Sequence, residues 1–262
     1  MTFTPAHLEQ LCACAEAAGQ AVMDVYRTEF GAWLKDDNSP VTDADRRADQ
    51  IIRECLQSAF PSICVVSEES PIAEDGAPDR LFLVDPVDGT REFLHRNGEF
   101  AVNIAWVDRG VATAGVVLAP ALGQLYFAAR GQGAWRRDAA GLTALRTAAA
   151  PAGAPLRVMV SRSHGDAALQ PWLARWPGEQ HAQAVGSSLK FCRIAEGAAD
   201  VYPRFGPTRQ WDTAAAQAIL EEAGGQVLDA AGQPLRYGLD RPLLNPNFIA
   251  LASAGMAYPP LP

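Results

Sequence analysis

Apolar and polar residues follow two different spacings along the first half of the chain. Apolar residues at helical spacing predict helices over residues 7–30 and from 42 or 43 to 59. Short apolar runs bounded by turn residues predict strands over residues 63–67, 81–84, 100–108, 111–119 and 124–129. The pattern therefore indicates two helices followed by the strands of a sheet.

The second half alternates helices with strands. Its pattern predicts strands over residues 157–161 and 199–202, and helices over residues 166–176, 188–196 and 212–223. A segment rich in Ala, Pro and Gly at residues 148–155 predicts a junction between two subdomains, 1–150 and 151–262. Helices and strands mixed in this way predict an α/β (α+β) fold built in layers.

The amino-acid composition limits which ligands the protein is expected to bind and in which cellular compartment it is expected to act. The 262 residues carry a formal net charge of -8, which argues against nucleic-acid binding but leaves room for a small phosphorylated ligand in a local basic pocket. The sequence has no run of about 20 apolar residues and no signal-like start, so we expect a cytoplasmic protein without a transmembrane segment. The five cysteines are odd in number and include no CxxC pair, which predicts five reduced thiols.

The segment Asp85-Pro86-Val87-Asp88-Gly89-Thr90 carries the clearest chemical signal. It follows a predicted buried strand and precedes a short predicted helix at residues 91–94. Two carboxylates at such a turn repel each other unless a cation lies between them, and Mg²⁺ prefers oxygen ligands. The first amides of a helix bind phosphate. The segment therefore predicts a metal-dependent phosphatase.

Three more groups of acidic residues extend this prediction: Asp43 with Asp45, Glu68 with Glu69, and Asp212. Glu68, like Asp85, follows an apolar strand, so two parallel neighbouring strands would bring both carboxylates to one crevice. Two or three Mg²⁺ ions held there would stabilise charge during phosphoryl transfer. Asp212 precedes a helix and, taken alone, is more typical of an N-cap than of a metal ligand, so the residues alone leave its role open.

Four segments together resemble the signature blocks of the lithium-sensitive, magnesium-dependent phosphatase superfamily of inositol monophosphatase and fructose-1,6-bisphosphatase. They are Pro40-Val41-Thr42-x-x-Asp45, Ser67-Glu68-Glu69-Ser70, Asp85-Pro86-x-Asp88-Gly89-Thr90 and Trp211-Asp212-Thr213-Ala214. The resemblance implies a layered αβαβα sandwich. It also implies that the metal ligands are Glu68, Asp85, the carbonyl of Val87, Asp88 and Asp212.

The same resemblance implies the catalytic groups. Asp45 and Thr90 would orient and deprotonate the attacking water, with Thr90 as the relay. Glu68 would contact that water through its metal. Arg91 departs from the pattern, because many relatives carry Lys after the DGT, and this puts a ligand role for Arg91 in doubt.

Within the superfamily, the chain most resembles the bacterial 3'(2'),5'-bisphosphate nucleotidases of the CysQ type. The matching segments are residues 37–42, 96–100, 161–164, 186–192 and 202–208. The resemblance implies hydrolysis of adenosine 3',5'-bisphosphate to AMP and phosphate in sulfate assimilation, inhibition by Li⁺, and activity on 3'-phosphoadenylyl sulfate as an open question.

Substrate-binding residues follow from charge and from this resemblance. His164, Lys190 and Arg204 are the candidate cations for a second phosphate, and Ser187 and Ser188 precede a helix and offer further donors. For each of these, a surface salt bridge or a helix cap is the alternative. The resemblance also places Asp88, Gly89, Thr90 and Asp212 beside the substrate.

Two other functions stay open on the sequence. One is a phosphatase of the same fold that acts on inositol monophosphate or a sugar phosphate. The other is a non-catalytic protein that uses the fold to bind a partner, although such a protein has no need for the relay hydroxyl of Thr90. Monomer or homodimer, and contact with the inner membrane, are also left open.

Overall fold

Helices and strands alternate through the chain in a computed structural model that describes residues 3–34, 40–70, 76–151, 153–163 and 165–262. In these ranges the helices are α1 (Pro5–Tyr26), α2 (Asp43–Ala59), α3 (Thr90–Leu94), α4 (Leu169–Leu173), α5 (Leu189–Ala195) and α6 (Gln210–Glu222). The strands are β1 (Ala32–Leu34), β2 (Pro40–Thr42), β3 (Cys64–Ser67), β4 (Arg80–Asp88), β5 (Ala101–Asp108), β6 (Val111–Ala119), β7 (Gln124–Ala129), β8 (Ala134–Asp138), β9 (Gly141–Ala144), β10 (Leu156–Ser161), β11 (Gln180–Val185), β12 (Val201–Arg204), β13 (Gln226–Asp229) and β14 (Phe248–Leu251).

Two large sheets organise these elements. The seven-stranded sheet has the order β3-β4-β5-β6-β7-β8-β9, and the five-stranded sheet has the order β11-β10-β12-β14-β13. In the larger sheet β3 and β4 are parallel, and every other pair is antiparallel. Strands β1 and β2 form a separate antiparallel pair directly before α2.

The layers follow from the alternation of side chains along the strands. In β4, Phe82 joins the apolar cluster beneath α1 and α2, whereas Leu81 and Leu83 join the cluster that contains α5 and α6. That second cluster extends to the five-stranded sheet, and α4 covers part of the sheet's other face through Trp172 and Leu173. The αβαβα sandwich predicted from the resemblance is confirmed.

The connection between the two sheets runs through residues 145–155. The predicted division into 1–150 and 151–262 falls in this connection, but one continuous apolar cluster joins the facing sides of both sheets. The division into two subdomains therefore stays a prediction. No helix in the described ranges is both long and apolar enough to cross a bilayer.

Several predicted elements differ in length from those observed. Helix α1 ends at Tyr26 rather than near residue 30, because the guanidinium of Arg96 donates to the carbonyls of Tyr26 and Thr28 at 2.6 Å each. The helix predicted over residues 166–176 is only Leu169–Leu173, and the strand predicted over 199–202 lies at Val201–Arg204. Strands β1, β2, β8, β9, β11, β13 and β14 were not predicted. The edge strands β9 and β11 are mostly exposed and carry no apolar run, whereas β14 is a buried apolar run that the sequence prediction missed.

The prediction of five reduced thiols is wrong. Cys14 of α1 and Cys55 of α2 form a disulfide, with their Cα atoms 5.7 Å apart. Cys12, Cys64 and Cys192 are free. The spacing along the chain could not show this pair, because 41 residues separate two cysteines that meet only when α1 packs on α2.

Gly115 of β6 sets how closely α6 approaches the larger sheet. A Cβ atom at this position would collide with the backbone of Ala215 in α6. Ala215 and its neighbours Ala214 and Ala216 are all buried, which fits a helix that packs between the two sheets. The close approach matters because α6 carries Asp212 in its first turn.

We expect Gly115→Ala to lower the free energy of unfolding by about 1–3 kcal/mol, because the added methyl forces α6 away from β6. Urea unfolding would measure the change. Gly165→Ala is the matched control, since a Cβ there meets nothing within 4 Å, and we expect its effect to stay within about 0.5 kcal/mol. Equal effects of the two substitutions would contradict this account of the contact.

Candidate active site

Three carboxylates from distant parts of the chain meet in one cleft. Oxygen atoms of Glu68, Asp85 and Asp212 all lie within 4.8 Å of one another. Glu68 and Asp85 come together because β3 and β4 are parallel and in register, with Ser67 opposite Val84. This is the arrangement that the sequence predicted for those two residues.

Asp212 reaches the group from the first turn of α6. Its Oδ2 also accepts the backbone N–H of Arg209, the N-cap residue, at 2.8 Å, so Asp212 is the third residue of the helix and forms one half of a capping box. The N-cap role that the sequence left open for Asp212 is therefore wrong, because α6 begins at Gln210. One carboxylate oxygen serves the helix end while the residue stands beside Glu68 and Asp85.

Burial and mutual repulsion raise the pKa values of two carboxyl groups in this cluster. Burial, then the nearby carboxylates of Glu68 and Asp88, raise the pKa of Asp85 well above its usual value. Burial and the carboxylates of Asp88 and Glu68 likewise raise the pKa of Asp212. Like charges held this closely favour the binding of a cation, and an all-oxygen donor set suits a hard divalent ion.

Asp88 stands at the end of β4, and the structure ties it to the second half of the chain. Its Oδ2 accepts the backbone N–H of Ser188 at 2.5 Å and the side-chain amide of Asn103 at 3.2 Å. Burial raises the pKa of Asp88, whereas Lys190 and these two hydrogen bonds act in the opposite direction. The backbone carbonyl of Val87 accepts the hydroxyl of Thr90 at 3.3 Å.

Asp45 and Thr90 lie together, as the resemblance implied. Asp45 is buried in the first turn of α2, and its Oδ2 accepts the backbone N–H and the hydroxyl of Thr42 at 2.8 and 2.6 Å. Its Oδ1 faces the hydroxyl of Thr90 at 3.5 Å. The bonds from Thr42 fix the carboxylate so that its other oxygen points at Thr90.

Two cations line the opposite wall of the cleft. Lys190 is buried, donates to the carbonyls of Val185 and Ser187, and lies 5.1 Å from the ring centre of Tyr202. Burial lowers the pKa of Lys190 to about 8, partly offset by Asp88. Arg204 is buried as well; its Nη2 donates to the carbonyl of Pro207 at 3.0 Å, and its Nε has no hydrogen-bond partner within the described ranges.

The remaining predicted site residues fall into three groups. Gly89, Ser187 and Ser188 line the same cleft. His164 lies outside the described residues. Arg91, whose ligand role the sequence left in doubt, is at the exposed rim. Its guanidinium donates to the backbone carbonyl of Ser163 at 3.2 Å.

The turn that carries Ser187 and Ser188 is held in an uncommon shape. Ser187 has a φ of 49°, in the left-handed region, and a Cβ at Gly186 would collide with Glu92 and Glu99. Glu99 accepts the N–H of Gly186 at 2.7 Å and pairs with Arg162 at 2.6 Å. The turn is thus fixed between the two halves of the chain.

Sequence reasoning missed Asn103 and gave Glu99 and Arg162 no role. Asn103 is fully buried in β5, where its Oδ1 accepts the hydroxyl of Ser188 at 2.8 Å and its Nδ2 reaches Asp88. The available signal was a single amide inside the apolar strand Ala101–Asp108, since a buried polar side chain needs partners.

Comparison with known proteins agrees with this geometry. The sequence model of the inositol monophosphatase family matches residues 6–256. This chain belongs to the inositol monophosphatase family. The membership confirms the recognition of the superfamily from its four sequence blocks, and this family is metal-dependent, in keeping with the carboxylate cluster.

Individual members of the family are similar over nearly the whole chain. The 3'(2'),5'-bisphosphate nucleotidase CysQ of Escherichia coli strain K12 is 44% identical over 245 residues, which cover 92% of this chain and 98% of that protein. CysQ of Salmonella typhimurium strain LT2 is 45% identical over 247 residues, with the same shares covered. The resemblance to the CysQ type is thereby confirmed.

Solved structures of the family share the fold. The crystal structure of CysQ from Bacteroides thetaiotaomicron aligns with a TM-score of 0.84 at 36% identity, covering 96% of this chain and 99% of that one. An inositol monophosphatase from Anabaena aligns with a TM-score of 0.78 at 25% identity, covering 99% of both chains.

The repulsion within the carboxylate group leads to a prediction about stability. A raised pKa in the folded state means that the Asp85 carboxyl stabilises the fold at low pH and that this contribution is lost as the pH rises through the folded-state pKa. In EDTA at neutral pH we therefore expect Asp85→Asn to raise the melting temperature, by about 2–4 °C for each kcal/mol of repulsion removed. The gain shrinks as the pH is lowered toward the ordinary pKa of Asp.

With Mg²⁺ we expect the wild type to have a higher melting temperature than Asp85→Asn, the reverse of the order in EDTA. Mg²⁺ binds the folded state and raises the melting temperature of the wild type, whereas Asp85→Asn loses most of that increase. Thermal unfolding with and without Mg²⁺ measures both effects. Asp79→Asn removes an exposed carboxylate outside the group and serves as the control. A full Mg²⁺ response in Asp85→Asn would contradict a cation site at this position.

Proposed function

We propose that this protein is a Mg²⁺-dependent 3'(2'),5'-bisphosphate nucleotidase that hydrolyses adenosine 3',5'-bisphosphate to AMP and phosphate. One observation carries the proposal. A single cleft of about 420 Å³ combines a cation-binding carboxylate group with two buried cations, Lys190 and Arg204. The names of the CysQ relatives support the same substrate class.

The two cations favour a substrate with more than one phosphate. Within the described ranges, Lys190 and Arg204 donate hydrogen bonds to backbone carbonyls and not to carboxylates, and the charges of Asp88 and Asp212 act on them only at longer range. In the part of the chain that the structure describes, the Nε of Arg204 also has no hydrogen-bond partner. An anionic group of the ligand, distinct from the phosphate that is cleaved, would satisfy both side chains.

The carboxylates fit a resident metal. Glu68, Asp85 and Asp212 would hold two or three Mg²⁺ ions, together with Asp88 and the carbonyl of Val87. When bound, such ions stabilise negative charge on phosphoryl oxygens and make water more acidic. The Asp88 oxygen that faces Ser188 and Asn103 is already used, so its other oxygen is the one available to a ligand.

The protein's own groups would handle the proton of the attacking water. The hydroxyl of Thr90 lies 3.3 Å from the carbonyl of Val87 and 3.5 Å from Oδ1 of Asp45, and when its proton is directed to Asp45 the lone pairs of its oxygen can accept a proton from water. Asp45 is kept in place by Thr42 and can take the proton that Thr90 passes on. Gly89, with a φ of 89°, lets the chain turn sharply between Asp88 and Thr90.

Three further properties belong to the same proposal. The enzyme is inhibited by Li⁺, acts in sulfate assimilation by clearing the by-product of sulfate activation, and also accepts 3'-phosphoadenylyl sulfate. The reason for the last is physical, because the second phosphate and the sulfated phosphate present similar anionic groups to Lys190 and Arg204.

Phosphate release from adenosine 3',5'-bisphosphate and from inositol 1-phosphate, measured side by side with Mg²⁺, tests the proposal. We expect release from the nucleotide to be much faster and to be blocked by Li⁺. A preference for inositol 1-phosphate would keep the metal-dependent phosphatase but overturn the substrate assignment. Release from neither substrate would favour the non-catalytic, partner-binding alternative.

The relay is tested by two substitutions at Thr90. Thr90→Val keeps the shape but removes the hydroxyl, and we expect kcat to fall by about 10²-fold or more. Thr90→Ser keeps the hydroxyl and should retain most of the activity. Steady-state kinetics with saturating Mg²⁺ measure both, and thermal unfolding confirms that both variants are folded. A Val variant as active as the Ser variant would exclude the relay.

A further inference from the structure

The rim of the cleft contains two exposed apolar side chains. Pro207 and Leu244 both line the cleft and are exposed, and Leu244 leaves 49% of its surface open. The other apolar side chains that line the cleft are buried or half-buried. An apolar surface left open at the mouth of an otherwise charged site is well suited to contact with a ligand.

The segment that carries Leu244 is fixed in place before any ligand arrives. The side-chain amide of Asn245 donates to the hydroxyls of Thr208 and Thr213 and to the carbonyl of Arg209, at 2.7–3.1 Å. Leu244 and Arg209 also form an isolated antiparallel bridge. Leu244 is therefore held against the start of α6 by backbone and side-chain bonds, and binding a ligand there would cost little ordering of the chain.

The same segment is connected to the cation that would bind phosphate. Arg204 donates to the carbonyl of Pro207, so the guanidinium and the apolar rim are held at a fixed separation. Asp212 stands in the first turn of the helix that begins beside the Leu244 bridge. Pro207 and Leu244 thus line the same cleft as the carboxylates and Arg204, where they can contact the remaining part of a ligand whose phosphates bind those groups.

We infer that Pro207 and Leu244 form a subsite for the nucleobase of the substrate, and that Leu244 determines the preference for nucleotides. This inference rests on the proposed function. The flat faces of a nucleobase are apolar, so they gain from contact with Leu244. An inositol or sugar ring carries hydroxyls around its edge and gains little from the same surface.

The test compares two substrates that differ only in the base. One is adenosine 3',5'-bisphosphate, and the other is the abasic analogue methyl ribofuranoside 3,5-bisphosphate. In Leu244→Ala we expect KM for the nucleotide to rise about tenfold, which corresponds to about 1.4 kcal/mol, with kcat within about twofold of wild type. The kinetic constants for the abasic analogue should not change.

Two further variants separate contact from structure. Leu244→Met keeps an apolar side chain and should retain the wild-type KM for the nucleotide. Leu142→Ala shortens another exposed leucine, on β9 and outside the cleft, and should leave both substrates unaffected.

The remaining outcomes are distinguishable. If the wild type prefers the nucleotide and Leu244→Ala keeps that preference, the subsite is overturned while the proposed function stands. An equal loss for both substrates would also overturn it, because the substitution would then act on the cleft as a whole. If the wild type does not distinguish the nucleotide from the abasic analogue, the subsite is overturned, while the proposed function is still decided by the separate comparison with inositol 1-phosphate.

Discussion

The repulsion among Glu68, Asp85 and Asp212 is the constraint around which this structure is arranged. Three acidic side chains whose oxygens lie within 4.8 Å of one another do not gather unless the fold forces them together. The parallel pair β3 and β4 brings the first two, and the close contact of α6 with Gly115 brings the third. Packing of both sheets thus holds the three carboxylates together against their electrostatic repulsion. Because a cation relieves this repulsion, the group favours cation binding.

A second set of interactions joins the carboxylate group to the wall that faces it. The N–H of Ser188 and the amide of Asn103 both end on Asp88, while Glu99 holds Gly186 and Arg162 from the other half of the chain. The turn at residues 186–188 is therefore positioned in part by Asp88, which also lies beside the carboxylate group. A change to the Asp88 carboxylate would therefore also change the shape of the turn at the bottom of the cleft.

The sequence was sufficient where a local pattern dictates a local structure. Glu68 and Asp85 were placed together because each follows an apolar strand, and the start of α2 was placed at residue 42 or 43 by the helical spacing of its apolar residues. Features that depend on packing between distant segments were out of reach. The Cys14–Cys55 disulfide, the roles of Asn103 and Glu99, and the exposed position of Leu244 exist only once helices and sheets have assembled.

The attachment of Ser188 to Asp88 has a consequence for how members of this family can diverge. A substitution in the turn at residues 186–188 disturbs Asp88, which lies beside the carboxylate group, so selection on catalysis also limits substitutions in that turn. Within the described residues, Pro207 and Leu244 are connected to the inner site through their backbones, since Arg204 bonds to the carbonyl of Pro207 and Leu244 is bridged to Arg209. Side chains on the rim can therefore be substituted without disturbing the carboxylate group. We expect differences in substrate preference within the family to arise at the rim, while the catalytic residues stay the same.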